Sequence, residues 1–167
     1  MKPEERLGIL LSERRLRLAV AESCTGGLIA SRITDVAGSS DYFEAGLVVY
    51  SNQAKQKFLS VPAASIEAHG AVSREVAESM AQGVRAATGA HIGLSVTGIA
   101  GPSGGSPEKP VGTVFIGLAA QTGAGAVGKA ATVVRKFQLS GGRLEIKSQT
   151  STEALQLVID FLEGRVA

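Results

Sequence analysis

Apolar and polar positions along this chain change period several times, and each change marks an element. Leu7, Leu10 and Leu11 recur at helical spacing and predict an opening amphipathic helix. Leu16, Leu18 and Val20 then alternate with Arg17, Ala19 and Ala21, which predicts a strand over about 16–22. Leu28, Ile29, Ile33 and Val36 return to helical spacing over 26–37, and the apolar run from Phe43 to Tyr50 predicts a second strand. A short helix is expected after Asn52, closed by Pro62. Ser73 with Glu75 gives a helix start, and Val76, Met80, Val84 and Ala87 extend an apolar face to Gly89.

Ile92, Leu94 and Val96 alternate again, so 91–97 reads as a strand. Residues 98–112 hold three of the chain's five prolines and read as a loop. Paired strands are expected over 111–120 and 130–139 around a Gly-rich turn at 122–129. A last long helix follows Gly141-Gly142, with Leu144, Leu155, Val158, Ile159 and Leu162 facing inward. Strands and helices alternate early and a hairpin comes late. That order predicts an α/β fold: a three-layer α/β/α sandwich with a mixed, mainly parallel sheet, in one domain over 1–167.

Composition narrows the partners. Aromatic residues make up 4% of the chain with no Trp, which leaves no stacking platform for single-stranded nucleic acid. A net charge of +2, with Lys and Arg unclustered, gives no reason to expect direct nucleic-acid binding. The single Cys24 excludes an internal disulfide and fits a reducing, cytoplasmic setting. His69 and His91 lack metal-ligand spacing, so no metal is expected. No apolar run is long enough for a membrane span, and the opening residues do not read as a signal peptide.

Candidate chemistry gathers where strands end. Ser23, Tyr50 and Thr97 each close a predicted strand, and parallel strands would bring them to one carboxyl edge, where open α/β sheets bind ligands. In Ala21-Glu22-Ser23-Cys24-Thr25-Gly26-Gly27, Ser23 stands where a strand hands over to a helix. Thr25 could cap that helix, and Gly26 and Gly27 would let a ligand approach the backbone. Serine needs a base, and neither histidine has a local signature for that role. Lys55 is the alternative: a helix start after Ser51 and partial burial would both disfavour its ammonium form. Each residue also has a plain structural reading: Ser23 as helix entry, Tyr50 as packing, Lys55 as a solvated helix lysine. Cys24 reads either as a small core residue or as a thiol nucleophile. The loop Gly98-Ile99-Ala100-Gly101-Pro102-Ser103-Gly104-Gly105 offers backbone amides to an anion, and Arg143 offers a guanidinium at a helix start.

Taken together, AESCTGG (21–27), TDVAGSS (34–40), YSNQAK (50–55), HGAVS (69–73), TGIAGPSGG (97–105) and KPVGT (109–113) resemble the CinA carboxy-terminal domain family. Its enzymatic members are nicotinamide-nucleotide amidases of the PncC type. The resemblance covers about 5–163 and implies an α/β/α fold. It also implies hydrolysis of the carboxamide of nicotinamide mononucleotide to nicotinate mononucleotide and ammonia, in pyridine-nucleotide recycling. By the same resemblance Ser23 is the nucleophile, served by Lys55 and Tyr50, while Thr97 and Arg143 belong to the site. Amides near Thr25, Gly26 and Gly27 would hold the oxyanion. Arg143 with Gly98, Gly101, Gly104 and Gly105 would hold the phosphate or ribose. No cofactor is implied, and family analogy suggests a homo-oligomer such as a dimer. The chain has no room for the nucleotide-pyrophosphatase domain that precedes this one in many relatives, so it reads as a stand-alone amidase or an excised domain. The competing expectation is a non-catalytic module that senses nucleotide or binds a competence-related partner.

Overall fold

The computed structural model describes residues 1–122 and 129–166. Helix α1 spans Pro3–Arg14 and leads into β1, Leu18–Glu22. Then come α2 (Leu28–Thr34), a 3-10 turn (Ser39–Asp41) and β2 (Phe43–Val48). Three helices follow in series, α3 (Asn52–Leu59), α4 (Ala63–His69) and α5 (Arg74–Thr88). The rest is β3 (Ile92–Gly98), β4 (Thr113–Thr122), β5 (Lys129–Gln138) and α6 (Arg143–Leu162). Of the turn expected at 122–129, residues 123–128 lie outside the described residues.

The five strands form one sheet in the order β2-β1-β3-β4-β5. β1 pairs in parallel with β2 and β3, whereas β3–β4 and β4–β5 are antiparallel. Four strands therefore share one direction and β4 alone opposes them. The sheet is mixed, as the order of elements predicts, with two parallel and two antiparallel pairings.

Side-chain alternation divides the sheet between two apolar cores. Leu18 and Val20 of β1 face α1, α2 and α6, where Leu7, Leu11, Ile33 and Val158 are buried. Ala19 and Ala21 face α3 and α5, against Leu59, Val76, Met80 and Val84. Helices on both faces make the three layers. Both faces of β3 are buried, its polar residues included: the Ser95 hydroxyl donates to the Ala77 carbonyl of α5 at 2.6 Å.

Register carries the fold to the site. Glu22 pairs with Val48 on one side and Val96 on the other, so β1, β2 and β3 end at one level. β5 runs the same way, and the chain leaving it delivers α6 to that edge. The first turn of α6 stands beyond the sheet, so Leu144, expected inward, is exposed and Ile146 is the first residue of the helix to enter the core. His91 sits at the opposite edge, where its Nδ1 accepts from the Arg17 amide at 2.9 Å.

Candidate active site

Ser23 and Lys55 meet at the carboxyl edge. The Ser51 hydroxyl accepts from the Ala54 amide at 3.0 Å and caps α3, which turns Lys55 inward in the first turn. Lys55 is 2% exposed, the largest fully buried side chain of the described residues. Its Nζ lies 3.1 Å from Ser23 Oγ, 3.1 Å from the Val49 carbonyl and 3.2 Å from the Tyr50 carbonyl. No carboxylate pairs with it among the described residues. Burial therefore lowers its pKa from the ordinary 10.5, and the nearby Cys24 thiol works in the opposite sense. A neutral lysine amine has two N–H donors and one lone pair. In that form, with the two carbonyls taking the donors, the lone pair would face the Ser23 hydroxyl, the arrangement a general base needs; in the ammonium form Nζ donates to Ser23 Oγ as well.

The turn after Ser23 departs from the expectation. Glu22, fully buried, reaches forward past Ser23 and takes the donors of the following turn. The Thr25 hydroxyl donates to Glu22 Oε2 at 2.6 Å, the Gly27 and Ile29 amides to the same oxygen at 3.0 and 3.1 Å, and the Ala30 amide to Oε1 at 2.8 Å. Glu22 thus caps α2 in place of Thr25. Gly26 and Gly27 serve the turn itself, with φ of 62° and 101°, a region costly for other residues. Neither glycine nor Thr25 lines the pocket beside Ser23. The amide expected to bind an oxyanion at Gly27 is occupied; those of Cys24 and Thr25, which follow the serine, donate to no other residue among the described residues, and the Cys24 amide meets its own thiol.

A pocket of about 280 Å³ opens over Ser23 and Lys55. Thr97, Gly98, Gly101, Gly104, Tyr50 and Arg143 all line it. The buried Thr97 hydroxyl donates to the Ala71 carbonyl at 2.8 Å, which draws the loop between α4 and α5 in as one wall. Gly105 stays out of the pocket: it packs on Val111, where a Cβ would come within 2.8 Å of the backbone nitrogen. Arg143 spans the mouth, its Nη1 donating to the Gly101 carbonyl at 2.8 Å and its Nη2 to the Tyr50 hydroxyl at 3.1 Å. Both acceptors are uncharged, and no carboxylate pairs with the guanidinium among the described residues. The Tyr50 side chain is 61% exposed and its hydroxyl meets Arg143, not Lys55; only its carbonyl holds the lysine. A proton relay through the phenol is not formed in this arrangement.

Cys24 also lines the pocket, but its thiol is buried and its pKa is pushed up to about 11 by desolvation first and by the Glu22 charge, against its own backbone amide, Lys55 and Lys147. That leaves it protonated at neutral pH and removes the activation a thiol nucleophile needs. Asn52, Ala71, Val72, Ile99, Ala100 and Ser103 complete the lining, and no spacing in the sequence singles out any of them.

These features define an α/β/α sandwich with a ligand-sized pocket at the carboxyl ends of its parallel strands, and a buried serine–lysine pair at its floor. The chain belongs to the CinA C-terminal domain family, whose pattern residues 1–162 match. It is 52% identical over 162 residues to a CinA-like protein of Citrifermentans bemidjiense, covering 97% of this chain and 37% of that protein. A CinA-like protein of Chlorobaculum tepidum is 55% identical over 153 residues, 92% of this chain and 36% of that protein. The chain thus spans little more than a third of the length of these relatives. The crystal structure of the competence/damage inducible protein CihA from Agrobacterium tumefaciens matches with a TM-score of 0.88 at 38% identity, over 96% of this chain and 93% of that one. No helix among the described residues is long and apolar enough to cross a membrane.

Proposed function

We propose that the protein is a nicotinamide mononucleotide deamidase acting through a serine–lysine mechanism, with a place in pyridine-nucleotide recycling. The observation that carries this reading is the 3.1 Å contact between Ser23 Oγ and the buried, carboxylate-free Lys55 Nζ. Lys55 takes the Ser23 proton as Oγ attacks the carboxamide carbon. The amides of Cys24 and Thr25 then receive the oxyanion. Lys55 returns the proton to the leaving nitrogen, the C–N bond breaks and ammonia departs. Water, deprotonated by the same lysine, cleaves the acyl-enzyme ester and releases nicotinate mononucleotide. None of these steps calls on a metal or organic cofactor. Arg143 supports a phosphorylated substrate, since its two hydrogen bonds go to neutral oxygens and leave its charge free for an anion at the mouth.

Ammonia release from nicotinamide mononucleotide, beside nicotinamide riboside, tests the reading. The wild type turns over the mononucleotide. Arg143→Ala raises its KM by roughly ten- to a hundredfold, the worth of hydrogen bonds to a charged group, and leaves the riboside unaffected. Nucleotide that binds without turnover in the wild type would instead support a sensing module.

A further inference from the structure

Glu22 is a fully buried carboxylate one residue before the nucleophile, and the serine–lysine chemistry does not consume it. Its oxygens collect four donors: one hydroxyl from Thr25 and three backbone amides from Gly27, Ile29 and Ala30. Its backbone is held as firmly, with the Glu22 carbonyl accepting from the Val49 amide at 2.8 Å and the next amide, that of Ser23, donating to Val96 at 3.2 Å. The side chain therefore bridges a fixed strand end to the first turn of α2. What lies between the two anchors is the Ser23–Gly26 turn, closed by the Gly26 amide on the Ser23 carbonyl at 3.1 Å. That turn carries Oγ and the amides of Cys24 and Thr25, and its far side is held by the Thr25 carbonyl, which accepts from the Leu28 amide at 3.3 Å.

We propose that Glu22 is a positioning residue: by gathering the donors of the α2 entry it aims the Cys24 and Thr25 amides at the oxyanion and frees them from binding within the turn. This rests on Ser23 being the nucleophile, and goes further by assigning what orients its oxyanion site. The requirement is for an acceptor at both oxygens. Gln matches Glu in shape but has only one acceptor. Whichever way its amide turns, an NH2 group faces at least one of the backbone N–H donors now 2.8–3.1 Å away, and that end of the turn must open.

The test compares wild type, Glu22→Gln and Thr25→Val in two reactions. One is nicotinamide mononucleotide hydrolysis. The other is labelling by a small alkyl fluorophosphonate, read by mass spectrometry of the Ser23 peptide. In labelling, the Ser23 oxygen bonds to phosphorus, fluoride leaves and the serine proton passes to Lys55, so the phosphoryl oxygen needs the same amides whatever the natural substrate is. Folding of each variant is checked by circular dichroism and a cooperative melt. Glu22→Gln slows labelling by roughly ten- to a hundredfold, less than outright loss of an oxyanion donor can cost. It lowers kcat by a similar factor and leaves KM unchanged, a split that general loosening of the pocket would not give. Thr25→Val removes one of the four donors and slows labelling by about threefold to tenfold; it carries the test if Glu22→Gln does not fold. A folded Glu22→Gln or Thr25→Val labelled at the wild-type rate would overturn the proposal. Wild type that is labelled at Ser23 but leaves the mononucleotide untouched would count against the substrate alone, with the labelling ratio still deciding for Glu22. Wild type not labelled at Ser23 would overturn both.

Discussion

Lys55 brings an amine into the core with three oxygens around it and no balancing carboxylate among the described residues. Burial holds its folded pKa below the ordinary 10.5, so below the folded value the native state carries the full cost of a buried charge. As pH rises from the folded value towards 10.5, the unfolded chain binds the extra proton and stability increases. Urea titrations should therefore show the wild type gaining stability relative to Lys55→Met across that interval; a constant difference would mean that the amine is not perturbed. The kcat/KM profile should rise with pH on a limb below 10.5, reporting free Lys55. Cys24, with its pKa at about 11, should leave the wild type resistant to iodoacetamide at neutral pH, as measured by residual turnover. Ser23 and Lys55 were legible in the sequence because each closes or opens an element, and such ends can be located. Glu22 was not: it reads as the last residue of a strand, and only the return of the chain through Gly26 and Gly27 shows what its carboxylate meets.

At the scale of elements, strands and long helices follow their hydrophobic period closely, because one face of each must be buried. α4 escapes that logic. It has no buried residue, and its single large apolar side chain, Ile66, sets no period; α3 has already ended at Ser60, left-handed with φ 55°, so Pro62, expected to close that helix, instead precedes the first residue of α4. β3 reads as an alternating strand yet is buried on both faces, since Gly93, Ser95 and Thr97 lie under α5 or the loop before it. The approach is close: a Cβ on Gly93 would come within 2.2 Å of the Ala81 carbonyl and 2.8 Å of Arg85 Cβ. Gly93→Ala must therefore push α5 off the sheet. Urea unfolding should register a loss of about 1–3 kcal/mol, the usual cost of overpacking. An unchanged midpoint would show that α5 yields freely.

For the molecule as a whole, one topological fact places the chemistry. β1, β2, β3 and β5 all point the same way, so Ser23, Tyr50, Thr97 and Arg143 come from four separate stretches of chain to one edge. The order of elements made that edge predictable. The finer pairing, with Arg143 on the Tyr50 hydroxyl and the Gly101 carbonyl, depends on loop paths that no period encodes. The pocket floor is the serine–lysine pair, and the most direct test of it is ammonia release from nicotinamide mononucleotide by Ser23→Ala beside the wild type. Turnover in the wild type that falls by at least roughly a thousandfold in the mutant is the expected result, as for loss of a covalent nucleophile. A Ser23→Ala protein that still releases ammonia at a comparable rate would contradict the serine–lysine mechanism.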